Sequence, residues 1–188
     1  MQRKILATLI VLSVLLSGLW AYDNTTHLGV SSGRSAHPDH RETVYGASVF
    51  GQLLDKSSWF GVSYSASVLS NFSAALPSFD ASGGIGMSFT AQLGSRFQLA
   101  LNPGIGLRLD SKPAFRDADL FLGLSAQAIA SFLMTDSFGF FIAWDSSYYF
   151  LHLDELKFKG FSLTNTATIG LTFRLTPETE TSGNYIVY

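Results

Sequence analysis

The stretch FSLTNTATIGLTFRL, residues 161–175, alternates side-chain character with a period of two. Phe161, Leu163, Ala167, Ile169, Leu171, Phe173 and Leu175 share one face, and Ser162, Thr164, Thr166, Thr168, Gly170, Thr172 and Arg174 share the other. A period of two is that of a β-strand. A soluble sheet normally turns a face of Lys, Glu and Arg to water. The polar face here holds small hydroxyl residues and a single charge, Arg174. A strand of this kind fits a sheet whose apolar side is the exposed one.

Seven further segments repeat the pattern: Thr25 to Gly33 (weakly), Thr43 to Leu54, Ser58 to Leu69, Gly84 to Leu93, Phe97 to Leu109, Asp119 to Leu133 and Phe138 to Phe150. In the second, Phe50 falls on the face opposite Tyr45, Ala47, Val49 and Leu53, which allows a β-bulge there. Most segments run well beyond the ~5–6 residues usual in globular proteins. They match the ~9–11 residues of a tilted strand crossing a bilayer. The links alternate as well. Those at 55–57, 94–96 and 134–137 are short, and those at 34–42, 70–83, 110–118 and 151–160 are long. Short periplasmic turns and longer external loops are the habit of transmembrane barrels. The expected fold is all-β: an eight-stranded antiparallel up-and-down transmembrane β-barrel over 22–175, with Ser, Thr and Gly lining a narrow interior. A soluble β-sandwich or lipocalin-like barrel is the competing fold, and its weakness is the missing charged exterior.

Composition agrees. Charged residues are 14% of the chain, against about 25% for a typical soluble domain. Residues 1–21 read as a cleaved signal peptide: Arg3 and Lys4, an apolar run from Ile5 to Leu16, then small residues up to Ala21. Their removal leaves a net charge of −4, with no basic patch for nucleic acid. The chain has no cysteine, so no disulfide framework. Phe97, Phe138 and Phe173 suit a periplasmic aromatic girdle, and Tyr148, Phe150 and Phe161 an external one. Trp144 lies near mid-strand, where girdle logic gives no reason for it.

Thr168, Gly170, Phe173 and Leu175 match in register the assembly signal of bacterial outer-membrane barrels: polar, any, glycine, any, any, hydrophobic, any, hydrophobic. The chain over 25–175 resembles the small eight-stranded outer-membrane proteins, a group that includes the transmembrane domain of outer-membrane protein A and outer-membrane protein X. The resemblance implies an outer-membrane location, reached through the barrel-assembly machinery, and contact with outer-membrane lipids. One departure is the stretch 176–188, which continues past the last strand. It reads as a polar periplasmic tail, with Pro177 breaking the strand.

Candidate chemistry is sparse, and no cofactor is implied. His37 and His40, beside Asp39, and His152, beside Asp154 and Glu155, stand in the first and fourth long links. Strand closure makes those links neighbours, so the three imidazoles are weak metal candidates. A solvated polar loop explains the same residues. The inward charges Arg108, Asp145 and Arg174 form either a structural network with Gln92, Gln98, Asn102 and Gln127 or the lining of a narrow pore. A nucleophile built from Asp145, Ser146 or Ser147 is poorly placed, since strand neighbours face opposite ways. Glycines of GGIGMSF, 83–89, read as strand glycines without the lysine of a phosphate loop. Phe72, Leu76 and Phe79 in link 70–83 mark a possible contact surface. The expected role is structural or surface interaction, with an extracellular ligand met through links 34–42, 70–83, 110–118 and 151–160. A narrow solute pore is the first alternative. A lipid-modifying acyltransferase or deacylase is the second.

Overall fold

The computed structural model describes residues 23–36, 41–54, 59–71, 78–111, 118–153 and 155–175. Eight strands follow one another: β1 (Asp23–Ala36), β2 (Arg41–Leu54), β3 (Phe60–Asn71), β4 (Ser78–Leu93), β5 (Phe97–Ser111), β6 (Ala118–Leu133), β7 (Phe138–His152) and β8 (Lys157–Leu175). Each pairs antiparallel with the next, and β8 closes on β1. The lower end is the one where β1 begins and β8 finishes. A path of paired residues that leaves β1 at Thr25 runs through Gln52, Ser63, Gly86, Gly104, Ser125, Ser147 and Thr164 and returns at Ser35, ten residues higher. That stagger tilts eight strands by roughly 40° from the axis.

The polarity is inside out. Val30, Ile142, Trp144, Leu124 and Ile169 are each more than half exposed on the outer face. Ser35, Ser88, Thr168 and Thr172 have no accessible surface at all inside. Hydroxyls stitch neighbouring strands across the interior: Ser31 Oγ lies 2.6 Å from Ser48 Oγ and 2.7 Å from Thr168 Oγ1. Only a barrel surrounded by hydrocarbon can keep this arrangement, because closure satisfies every strand edge.

Several expectations are corrected. The long upper links are mostly strand: β1 and β2 leave 37–40 between them, β3 and β4 leave 72–77, β5 and β6 leave 112–117, and β7 and β8 leave 153–156. Above the bilayer the outer face meets water and can carry charge, so the apolar alternation weakens while the backbone ladder continues. Leu69 still pairs with Asp80, and Asn71 with Ser78. The short-versus-long contrast therefore came from protruding hairpins. Phe50 marks no bulge: the β1–β2 and β2–β3 registers run unbroken past it, and its ring points inward. The register shifts that do occur lie between Leu122 and Gly123 and between Tyr149 and Leu151. The upper outer aromatics include Tyr148, Phe150 and Phe158, the last stacked on Phe150 at 6.1 Å. Residues 1–21, the stretch 176–188 and the side chain of Phe161 lie outside the described residues.

Two local features depend on backbone chemistry. The β4–β5 ladder skips Met87 and Ser88, opposite Asn102 and Pro103. Proline has no N–H to give, and Ser63 Oγ donates to the Met87 carbonyl oxygen at 3.2 Å instead. Gly170 of the assembly signal faces Gly29 across β1–β8. A Cβ there would collide with the Leu28 carbonyl oxygen, so the glycine permits close approach of the strands that seal the barrel.

Candidate functional site

The interior divides into two levels. In the lower half Phe50, Ala100, Ile129, Phe141 and Ala143 form one buried apolar cluster. Phe50 meets Phe141 edge-on at 6.1 Å, and the His27 ring lies 5.0 Å from Phe141. Opposing strands supply these rings, so together they plug a barrel of this width. His27 Nδ1 is 2.9 Å from Thr172 Oγ1, which ties the plug to β8.

The upper half is organised around Arg108, which is 3% exposed. Its Nη2 donates to Asp80 Oδ2 at 2.6 Å and lies 3.8 Å from Asp110 Oδ2. Its Nη1 donates to Ser162 Oγ at 2.8 Å, to Thr164 Oγ1 at 3.2 Å and to Ser35 Oγ at 3.4 Å. The guanidinium carbon sits 5.8 Å from the centre of the Tyr149 ring. One side chain on β5 thus grips β4, β8 and β1 across the lumen. Above it, Asn71 Nδ2 donates to Glu42 Oε2 at 2.6 Å. Between Arg108 and the plug lies a polar cavity of about 30 Å³, lined by Ser65, Ser82, Gln127, Asp145, Ser147 and Thr166 among others. It has room for about two water molecules.

The three inward charges do not meet. Arg108 pairs with Asp80, which the sequence reading had assigned to a loop. Asp145 accepts from Ser147 Oγ at 3.0 Å. Arg174 lies at the lower end, 3.7 Å from Asp23 Oδ2. Among the other polar groups, Gln98 Nε2 donates to Gln52 Oε1 at 3.4 Å, and Gln92 is exposed. The missed residue was legible in principle. Asp80 has the parity of the inward Ser82 and Gly84, once β4 is extended upward.

Of the metal candidates, His37 and His40 lie outside the described residues. His152 turns inward toward β6, with Nε2 3.2 Å from Asp119 Oδ1 and its ring 5.0 Å from Phe121. Among the described residues no three His, Cys, Asp or Glu side chains cluster as metal ligands. Asp145 and Ser147 share the inner face and touch, whereas Ser146 pairs on the alternate parity, as expected. Thr168 is held by Ser31, Phe173 packs on Phe138 at 5.6 Å, and Leu175 ends β8 on the outer face.

No protein-family model matches the chain, and no curated protein matches it. Solved structures do match in shape. Neisserial surface protein A superposes with a TM-score of 0.67 at 9% identity, over 81% of this chain and 97% of that one. The chain has the fold of the small eight-stranded outer-membrane barrels. Ail, the attachment invasion locus protein of Yersinia pestis, solved with the heparin analogue sucrose octasulfate, matches this barrel with a TM-score of 0.55 at 13% identity, covering 82% of this chain and 99% of that one. OprG of Pseudomonas aeruginosa matches it with a TM-score of 0.55 at 9% identity, covering 82% and 96%.

Proposed function

We propose that the chain is a bacterial outer-membrane barrel with a sealed lumen, which acts by contact through its upper rim on the cell exterior. The observation that carries this reading is the double closure of the interior. The Phe50–Phe141–Ile129 plug stands below, and the Arg108–Asp80 pair with its hydroxyl partners stands above. Such a lumen offers no continuous water column. What remains for function is the outer wall, which meets lipid, and the protruding hairpins, which meet the surroundings.

The contact surface is the upper ends of the hairpins with links 37–40, 72–77, 112–117 and 153–156. Arg34 and Arg41 both stand exposed on the outer face of the first hairpin. Leu156 and Phe158 stand exposed on the last. A mixed rim of cations and aromatics suits a large extracellular ligand. A relay of nucleophile, base and carboxylate for lipid chemistry gains no base from His152, which is turned to Asp119.

Two measurements test the reading. Residues 22–188 refolded into a planar bilayer are expected to give no unitary conductance, and discrete steps in the wild type would turn the assignment to a pore. In intact cells, an impermeant maleimide is expected to label Ala36→Cys but not Thr135→Cys, the chain having no native cysteine. The reverse labelling would put the rim on the wrong side of the membrane.

A further inference from the structure

Trp144 has no girdle role, and the outer wall around it explains why it is there. Two neighbouring cross-strand rows climb obliquely from the lower interface. One runs Phe89, Leu101, Ala128, Trp144, Ala167, and the next runs Ala91, Leu99, Ala130, Ile142, Ile169. Bulky side chains flank the alanines: Leu101 and Trp59 on one side, Ile142 and Trp144 on the other. The result is a trough of about 600 Å³ on the lipid-facing wall. Leu99 and Leu101 on β5 and Ile142 and Trp144 on β7 are large, so the alanines of β6 between them set the trough's floor.

The trough has a direction. From Phe89 on β4 to Ala167 on β8 it spans four strand spacings, about 19 Å at ~4.8 Å each. With the strands tilted by roughly 40°, a row of that length climbs about 12 Å, most of the ~15 Å depth of one leaflet of a ~30 Å hydrocarbon core. Its lower mouth lies at Trp59 and Ala91, beside the three-residue turn that joins β4 to β5. That turn ends in the exposed Arg96, whose backbone carbonyl oxygen accepts from Leu133 N–H at 2.7 Å. Arg96 is three residues below Leu99, so its backbone stands roughly 10 Å along the strand from the trough, within reach of its long side chain. Trp59 is two-thirds exposed at the same mouth, its ring tilted against Phe89 with centroids 5.8 Å apart. The acidic residue of the next lower turn, Asp136, belongs to the β6–β7 side.

We propose that this trough holds one acyl chain of an anionic phospholipid of the periplasmic leaflet, with its phosphate at Arg96 and its chain running past Ala130 and Ala128 to Trp144. The inference rests on the reading of the outer wall as lipid-facing. An apolar trough that ends at midplane fits a tail. The exposed Arg96 at the interfacial end fits a phosphate, and the Trp59 indole at the mouth fits the headgroup boundary. A second copy of the chain would need no cation at that point.

The test uses residues 22–188 in bilayers, whose two tryptophans, Trp59 and Trp144, both line the trough. Phosphatidylglycerol or phosphatidylcholine with dibrominated chains is mixed with its unbrominated counterpart, and the quenching gives a relative affinity. One arginine near the surface corresponds to about a fivefold preference for the anionic lipid. That preference is expected in the starting protein and should fall to about one in Arg96→Gln. Filling the trough with Ala128→Leu and Ala130→Leu should cut the quenching of the two tryptophans by either lipid. Quenching without lipid preference overturns the proposal and leaves the barrel reading standing. No quenching by any brominated lipid overturns both. A cross-linked dimer that the double leucine variant separates would assign the trough to a second copy.

Discussion

The lower and upper halves of the lumen solve the same problem with opposite chemistry. Below, aromatic and aliphatic side chains fill the bore, and the closure is steric. Above, a buried arginine closes it through five polar partners drawn from four strands. A steric plug tolerates the loss of one contact poorly where a cavity cannot collapse. A buried ion pair is costly to break from one side, yet it can be replaced as a pair by apolar groups at little cost. The lower half should therefore govern permeability, and the upper half should govern how the strands are held together.

The largest effect is expected from Phe50→Ala combined with Phe141→Ala. Each truncation should cost about 3–5 kcal/mol, and together they should convert a silent barrel into one that shows unitary conductance steps. A stable double variant without conductance would move the seal to Arg108. Next comes Asp80→Ala, which leaves the guanidinium of Arg108 without its nearest carboxylate. It should lower stability in a urea titration by about 3–5 kcal/mol while conductance stays at baseline. The paired change Asp80→Leu with Arg108→Met should recover most of that loss. If it does not, the arginine's hydroxyl partners carry more than the ion pair. Smaller still is Asn102→Leu. Both amide atoms of Asn102 are buried and without a hydrogen-bond partner. Removing them should leave stability unchanged or raise it by up to about 1 kcal/mol. A clear loss in the same titration would show that Asn102 is hydrogen-bonded and that the lower half is wetter than its plug implies.

The strand pattern carried most of the fold. Eight period-two segments, their outward apolar faces and the even count led to the closed barrel, because a lipid-facing wall needs hydrocarbon at every second position. The same signal failed where the wall leaves the membrane. Asp80, Arg34 and Glu42 look like loop residues because charged side chains stand there on both the inner and the outer face, although the ladder continues through all three. That failure hid the nearest partner of Arg108. Phe50, which joins Ile129 and Phe141 in the plug, reads as a possible bulge for a related reason. An aromatic on the polar face breaks the pattern, and pattern alone reads it as an irregularity. It takes the curvature of a closed sheet to bring β2, β6 and β7 to a common axis and make these residues a plug.

Local order along the chain was thus set by the sequence: which residues form strands, which face meets lipid, and where the assembly glycine must stand. What the tertiary structure alone decided is who meets whom across the lumen. A ten-residue stagger brings Ser35 beside Thr164, and it places Arg108 in reach of both. Periodicity describes one strand at a time. Stagger belongs to the whole ring of pairings, and it sets the height at which each inward side chain looks across the bore.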